Sequence, residues 1–183
     1  MKKTIAFVLI LALCAAFSGC MAKMTPTESF LLATRKMDLA AMRAELTADE
    51  KAGSLYTKLQ NADLDEETLT ALRDLYSLVQ YTMGEVSSVG KGEQTVSLTL
   101  RVPDMERLRS LITSQVLVLG DSPESILVGM LAEGSVSKNM LKEYSVSVRM
   151  TEVDGEWKIP YGDKENADFV KALSVAEMID FLN

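Results

Sequence analysis

Residues 95–102 read TVSLTLRV and residues 144–151 read YSVSVRMT, and these two stretches decide the fold. In both, apolar and polar side chains alternate, which is typical of an antiparallel β-strand with one buried and one solvent-facing side. The predicted inward rows are Val96, Leu98, Leu100 and Val102 on one strand, and Tyr144, Val146, Val148 and Met150 on the other. The predicted outward rows are Thr95, Ser97, Thr99 and Arg101, and Ser145, Ser147, Arg149 and Thr151.

Each of these strands has a hairpin partner in the sequence. A strand over 81–89 precedes the turn Gly90-Lys91-Gly92, and the turn Asp154-Gly155 leads into a last strand with Trp157 and Ile159. An Asp-Gly pair between alternating segments is a strong signal for a two-residue hairpin turn. The sequence therefore predicts four antiparallel strands, with Lys158 on the outward side of the last one.

Helix start signals occur at six places, where a Ser, Thr or Asp can cap the first turn: Thr25, Thr47, Asp65, Asp104, Ser122 and Ser174. The first helix carries an apolar stripe that runs from Phe30 to Ala44. The helix after Asp104 is predicted to bury Leu108, Leu111, Ile112, Val116 and Leu119. Helices that alternate with hairpins predict a single α+β domain, with N-terminal helices packed on a curved four-stranded antiparallel sheet.

The first twenty residues have the features of an export signal. Lys2 and Lys3 precede an apolar run over 4–17, which is shorter than the ~20 residues that a membrane-spanning helix needs. The run ends in Phe17-Ser18-Gly19-Cys20. We therefore predict a signal peptide over 1–19, a short tether over 20–24 and the domain over 25–183.

Phe17-Ser18-Gly19-Cys20 resembles the lipobox of bacterial lipoproteins, with Phe17 in the place where leucine is usual. The resemblance implies that Cys20 becomes the mature N-terminus and carries lipid, which would anchor the domain to the extracytoplasmic side of the cell membrane. Cys14 would leave with the signal, so no pair would remain for a disulfide. The alternative is a secreted protein with an ordinary cleaved signal and no anchor.

The composition excludes several classes of chemistry. The chain has no histidine, which removes Ser-His and Cys-His catalysis and histidine-ligated zinc. A formal net charge of −7 argues against nucleic acid as a partner. Asn61, Asp63 and Asp65 mimic the start of a calcium loop, but Glu66 replaces the required glycine and Leu72 the required acid. We predict neither a metal nor a cofactor.

Three segments resemble small bacterial lipoproteins with a nuclear-transport-factor-two-like, or cystatin-like, fold. They are Glu28-Ser29-Phe30-Leu31-Leu32-Ala33, Val102-Pro103-Asp104-Met105 and Asp154-Gly155-Glu156-Trp157-Lys158-Ile159. The resemblance implies a cone-shaped interior between sheet and helices. Families of this fold include isomerases, dehydratases, transport adaptors and lipoproteins of unknown role.

An enzyme of this fold needs an acid or base inside the cone, where burial shifts its pKa. The inward rows of the two central strands contain none, and Glu152 lies at a strand end where we expect it to reach solvent. Tyr76, Tyr81 and Tyr144 are expected to be core aromatics with solvated hydroxyls. We therefore predict a non-catalytic domain that binds a ligand or protein; the alternative is an isomerase-, dehydratase- or hydrolase-like enzyme with its site in the cone.

The outward side of the sheet is the candidate partner face. Its predicted rows consist of hydroxyl side chains and two arginines, Arg101 and Arg149, and Lys158 joins them on the last strand. All the charged side chains predicted on this face are therefore positive. On an acidic chain such a face could dock a protein partner or a second copy, although an ordinary solvated face has the same strand statistics. We expect replacement of both arginines by Glu to weaken association without loss of thermal stability.

Overall fold

The computed structural model describes residues 24–49, 51 and 53–182. The predicted signal peptide, Cys20 and most of the predicted tether lie outside these residues. The α-helices of the described part are α1 (Pro26–Lys36), α2 (Leu39–Ala44), α3 (Leu55–Asn61), α4 (Glu66–Ser77), α5 (Met105–Leu119), α6 (Pro123–Ala132), α7 (Ala167–Leu173) and α8 (Val175–Leu182), and short 3-10 helices span Lys138–Met140 and Lys164–Asn166. The strands are β1 (Gln80–Gly90), β2 (Glu93–Pro103), β3 (Leu141–Val153) and β4 (Glu156–Lys158).

The four strands form one antiparallel sheet in the order β1-β2-β3-β4, as the alternation predicts. In its central pair, Val96 lies opposite Val148 and Leu100 opposite Tyr144. The inward rows of β2 and β3 are buried apart from the half-buried Tyr144. They share one hydrophobic core with the helices, so the protein has an α+β architecture.

Four of the predicted helix starts, at Thr25, Asp65, Asp104 and Ser122, are confirmed by hydrogen bonds from a backbone N–H of the first turn to the capping side chain, as the first and second of them illustrate. The backbone N–H of Glu28 donates to Thr25 Oγ1 at 3.2 Å, and Pro26 begins α1. The backbone N–H of Thr68 donates to the Asp65 carboxylate at 2.7 Å, and this bond lowers the pKa of Asp65. Both caps depend on contacts within one turn, which explains why the local sequence predicts them.

The first helix is shorter than its apolar stripe predicts. Met37 adopts a left-handed conformation with φ of 50° and ends α1, and Asp38 then caps a separate helix, α2. The next helix begins after Ser54 rather than Thr47. The N–H of Thr47 instead donates to the carbonyl of Ile159 at 3.0 Å, which extends the β4 side of the sheet.

One further prediction about a helix is wrong in detail, and one helix was not predicted. Leu119 was expected in the core, but the last turn of α5 is exposed to solvent and Leu119 itself is 61% exposed. The region before Ser174 carries no start signal, yet it forms α7, whose residue Phe169 is buried beside Phe30 and Tyr161. Ser174 itself adopts a left-handed conformation that ends α7, and its hydroxyl donates to the Lys171 carbonyl. The predicted helix after Ser174 is confirmed, since α8 begins at Val175.

Candidate functional site

The outward side of the sheet does not carry cations alone, so that part of the sequence prediction is wrong. Glu93 and Glu143 occupy the next outward positions on β2 and β3 beyond the rows read from the sequence. Arg101 lies opposite Glu143 and Arg149 opposite Thr95, so six residues, or roughly 20 Å of strand, separate the two arginines. They belong to opposite ends of the face and do not form one basic patch.

Arg149 is the centre of an ion-pair cluster. Its guanidinium donates to Glu93 on β2 and to Asp163 and Glu165 in the segment that follows β4. The hydrogen bond to Glu93 and the negative charge of Glu165 raise the pKa of Arg149. Three carboxylates surround one cation, so this end of the face is acidic.

The backbone of Arg149 is held as well, by a residue that the sequence did not single out. The fully buried side chain of Asn166 accepts a hydrogen bond from the Arg149 N–H at 2.8 Å and donates to the Arg149 carbonyl at 3.1 Å. Its amide also donates to the carbonyl of Pro160. The amide thus substitutes for a neighbouring strand at this edge of β3.

The other two predicted face residues differ in their surroundings. Arg101 is about half exposed, donates to the Gln80 side chain at 3.3 Å and lies 3.9 Å from the Glu143 carboxylate. Lys158 donates a hydrogen bond, 2.8 Å long, to the carbonyl of Ala44, which is the last residue of α2. Lys158 also forms an ion pair with Glu156. A cation that binds a helix C-terminal carbonyl stabilises that helix end, so Lys158 has a structural role.

Between the two arginines, the outward face forms a groove of about 480 Å³ that we call the hydroxyl groove. Its polar walls are the side chains of Thr82, Ser97, Thr99, Ser145 and Ser147, with Glu165 and Asp168 from the C-terminal segment. The groove is shallow and polar, and its lining contains no aromatic ring on which a sugar could stack.

A second, larger depression lies at the start of α1, and we call it the Trp157 hollow. It has a volume of about 620 Å³ and lies between the start of α1, the end of α2 and the β3–β4 hairpin. Its apolar walls are Met24, Pro26, Ala44, Met150 and Trp157. Lys158, Glu45 and Glu156 add charge to the same lining. An apolar lining with a few polar groups is the usual composition of a small-molecule site.

The tyrosines differ from the sequence prediction in one respect. Tyr81 and Tyr144 are half-buried, but Tyr76 is fully buried and its hydroxyl has no contact with solvent. Burial raises the pKa of Tyr76 and of Tyr161 far above the usual value, which makes both poor proton donors. Glu152 is exposed at the end of β3, as expected.

Within residues 24–49, 51 and 53–182, no cluster of acidic or cysteine side chains has the geometry of a metal site. No helix of the same residues combines the length and the hydropathy needed to cross a bilayer. In comparisons with known proteins, no family model matches the chain, and no similar curated protein or solved structure was found.

Proposed function

We propose that this chain is a bacterial lipoprotein, anchored through lipid on Cys20 to the extracytoplasmic side of the cell membrane, and that its domain binds a ligand without chemical turnover. The observation that carries the binding role is the Trp157 hollow, whose walls are mainly apolar. A ligand with an apolar body of small-molecule size fits its volume and lining. The finer fold that we propose is the nuclear-transport-factor-two-like, or cystatin-like, one, and the α+β arrangement supports it.

The position of the hollow supports the link between anchor and ligand. Met24 lies in its wall, only four residues after Cys20. A chain of that length reaches at most about 14 Å, so a lipid on Cys20 would hold the hollow close to the bilayer surface. The ligand would then reach the protein from the membrane surface or from the space next to it.

The enzymatic alternative needs a group that is free to act on a ligand in the hollow. Of the three charged residues in the lining, Lys158 is bonded to the Ala44 carbonyl and paired with Glu156, each at 2.8 Å, and Glu45 is not free of partners either. These bonds favour a structural role for Lys158 and Glu156 over proton transfer. A non-catalytic binding role therefore remains the better proposal.

The anchor is tested by replacing Cys20 in the full chain expressed in a bacterial host fed labelled palmitate. We expect the unaltered chain to take up label and to sediment with membranes, and Cys20→Ala to lose both properties. Cys14→Ala is the matched control and should keep both, because Cys14 lies in the segment that is removed. Membrane association that survives Cys20→Ala would refute lipid anchoring.

Ligand binding is tested with Trp157, the single tryptophan of the chain, as the energy donor. Anilinonaphthalene sulfonate bound in the hollow should accept energy from Trp157 and quench its emission. Ala44→Phe fills the hollow and should abolish this transfer. Ala132→Phe also enlarges an exposed alanine at a helix end, but outside the hollow, and should preserve it. Equal transfer in the two variants would contradict a binding site here.

A further inference from the structure

The two edges of the sheet differ in whether their backbone groups are paired. At the β4 side, the chain around Leu46 forms a short parallel bridge with Ile159, and Asn166 bonds both backbone groups of Arg149. These contacts satisfy backbone groups that an open edge would leave unpaired. At the other side β1 is the outermost strand, and no other segment of the described chain pairs with its outer edge.

The open edge is long and nearly free of charge. β1 has 11 residues, and all of its residues from Gly84 to Gly90 are exposed. Val86 belongs to the inward row, opposite Val96, yet 44% of its surface is exposed. Glu85 is the only charged residue in this exposed part. A long, exposed edge with little charge is a template for a further strand.

Two irregularities in β1 define the part of the edge that can pair. The register with β2 shifts between Met83 and Val86 and again between Ser88 and Gly90. The regular stretch between them is Val86–Ser88, with Ser87 at its centre. An added antiparallel strand would therefore pair most readily about Ser87.

We propose that a second copy of this chain pairs with β1 in antiparallel orientation, with Ser87 on the two-fold axis, so that two sheets join into one. In this register Val86 lies opposite Ser88 of the other copy. The two Val86 side chains then take diagonal positions on the same side of the sheet and cover apolar surface that is exposed in the single copy.

The charges are compatible with this pairing. Glu85 would lie opposite Val89 of the other copy, so the two Glu85 carboxylates would be four positions, or roughly 13 Å, apart along the strands. That distance exceeds the Debye length of about 8 Å at physiological ionic strength, so their repulsion is screened. The contact uses the edge of the sheet, so it leaves the Trp157 hollow and the outward face free and does not depend on the proposed ligand.

The pairing is tested by disulfide cross-linking of the full chain in a bacterial host. Directly opposed residues of antiparallel strands have Cα atoms about 4.5–5.5 Å apart, which a disulfide can bridge. Ser87→Cys should therefore form a dimer of twice the chain mass under mild oxidation. The controls are the unsubstituted chain and Ser110→Cys, which changes an exposed serine on α5. Neither control should form the dimer.

A second substitution tests whether the cross-link depends on strand pairing at the edge of β1. Lysine on an edge strand opposes strand addition, so Val86→Lys in the Ser87→Cys chain should abolish the dimer. Val153→Lys is the matched control, since Val153 is 42% exposed and lies on β3, and it should leave the dimer intact. An unchanged Trp157 emission spectrum verifies that each variant is folded. The proposal is refuted if Ser87→Cys cross-links no more than Ser110→Cys, cross-links to a different protein, or dimerises equally with Val86→Lys.

Discussion

The hydroxyl of Tyr76 donates a hydrogen bond to the carbonyl oxygen of Leu173, 2.9 Å away, inside the core. The bond joins α4 in the first half of the chain to the last residue of α7, near the C-terminus. Both residues are fully buried, so water cannot replace either partner. The contact therefore ties the C-terminal segment, which carries Asp163, Glu165 and Asn166, to the N-terminal helices.

Loss of this hydrogen bond should destabilise the protein measurably. Tyr76→Phe keeps the packing but leaves the Leu173 carbonyl without a partner, which costs about 1–3 kcal/mol in the free energy of unfolding. Urea denaturation followed by Trp157 fluorescence measures this cost. Tyr144→Phe is the control, because Tyr144 is only half-buried and its hydroxyl can contact water. Equal stability of Tyr76→Phe and the unaltered chain would show that the bond contributes nothing.

The buried tyrosines should make the protein less stable in alkali. Burial raises the pKa of Tyr76 and Tyr161 above the usual value, so the folded state keeps protons that the unfolded state releases above about pH 10. The free energy of unfolding should therefore be unaffected by these groups below that pH and should fall as the pH rises through it. Urea midpoints at about pH 9 and about pH 11 measure the change. In Tyr76→Phe the fall should be shallower, and an identical slope would contradict a raised pKa for Tyr76.

Gly84 should tolerate no side chain. Gly84 lies at the irregularity in β1, and a Cβ at this position would meet the Ser97 side chain well inside contact distance and the Ser97 carbonyl at 3.0 Å. We expect Gly84→Ala to lower the free energy of unfolding by about 1–3 kcal/mol. Gly129→Ala is the opposite case, since Gly129 lies within α6 with open space around it. It should raise stability by roughly 0.5–1 kcal/mol, and urea denaturation of both variants tests the difference in sign.

Arg149 and Arg101 should respond differently to charge removal. Arg149→Gln leaves Glu93, Asp163 and Glu165 close together without their cation, so we expect a lower thermal midpoint that added salt partly restores. Arg101→Gln removes only a long, exposed ion pair with Glu143 and should change little. Thermal melts at low and high salt measure both variants. If Arg149→Gln has the same thermal midpoint as the unaltered chain at low salt, the ion-pair cluster does not contribute to stability.

This expectation replaces the one drawn from the sequence, in which charge reversal at both arginines left thermal stability unchanged. The outward position of Arg149 follows from strand alternation and is confirmed. Its three carboxylate partners come from β2 and from the segment after β4, and their meeting depends on how that segment folds back along β3. A sequence pattern shows which side of a strand a residue takes, but not which distant residues come to the same place.

The lining of the Trp157 hollow was likewise predicted from the sequence only in part. Trp157 and Met150 were expected on the inward side of the sheet, and both line the hollow. The opposite wall comes from Met24, Pro26 and Ala44, and no local pattern indicates that these face the hairpin. The helix also breaks at Met37, between α1 and α2, although the apolar pattern of the sequence continues across this residue. The pattern alone therefore predicts one helix where the structure has two.

The sequence by itself determined the strands, their inward and outward rows and the caps at Thr25, Asp65, Asp104 and Ser122, because alternation and capping act between residues that are neighbours along the chain. Only the tertiary structure decided that Asn166 closes one edge of the sheet, that Arg149 is enclosed by acids and that β1 is left open. These features depend on backbone groups brought together from distant segments, and the free energy of such contacts is set by the packing of the whole domain.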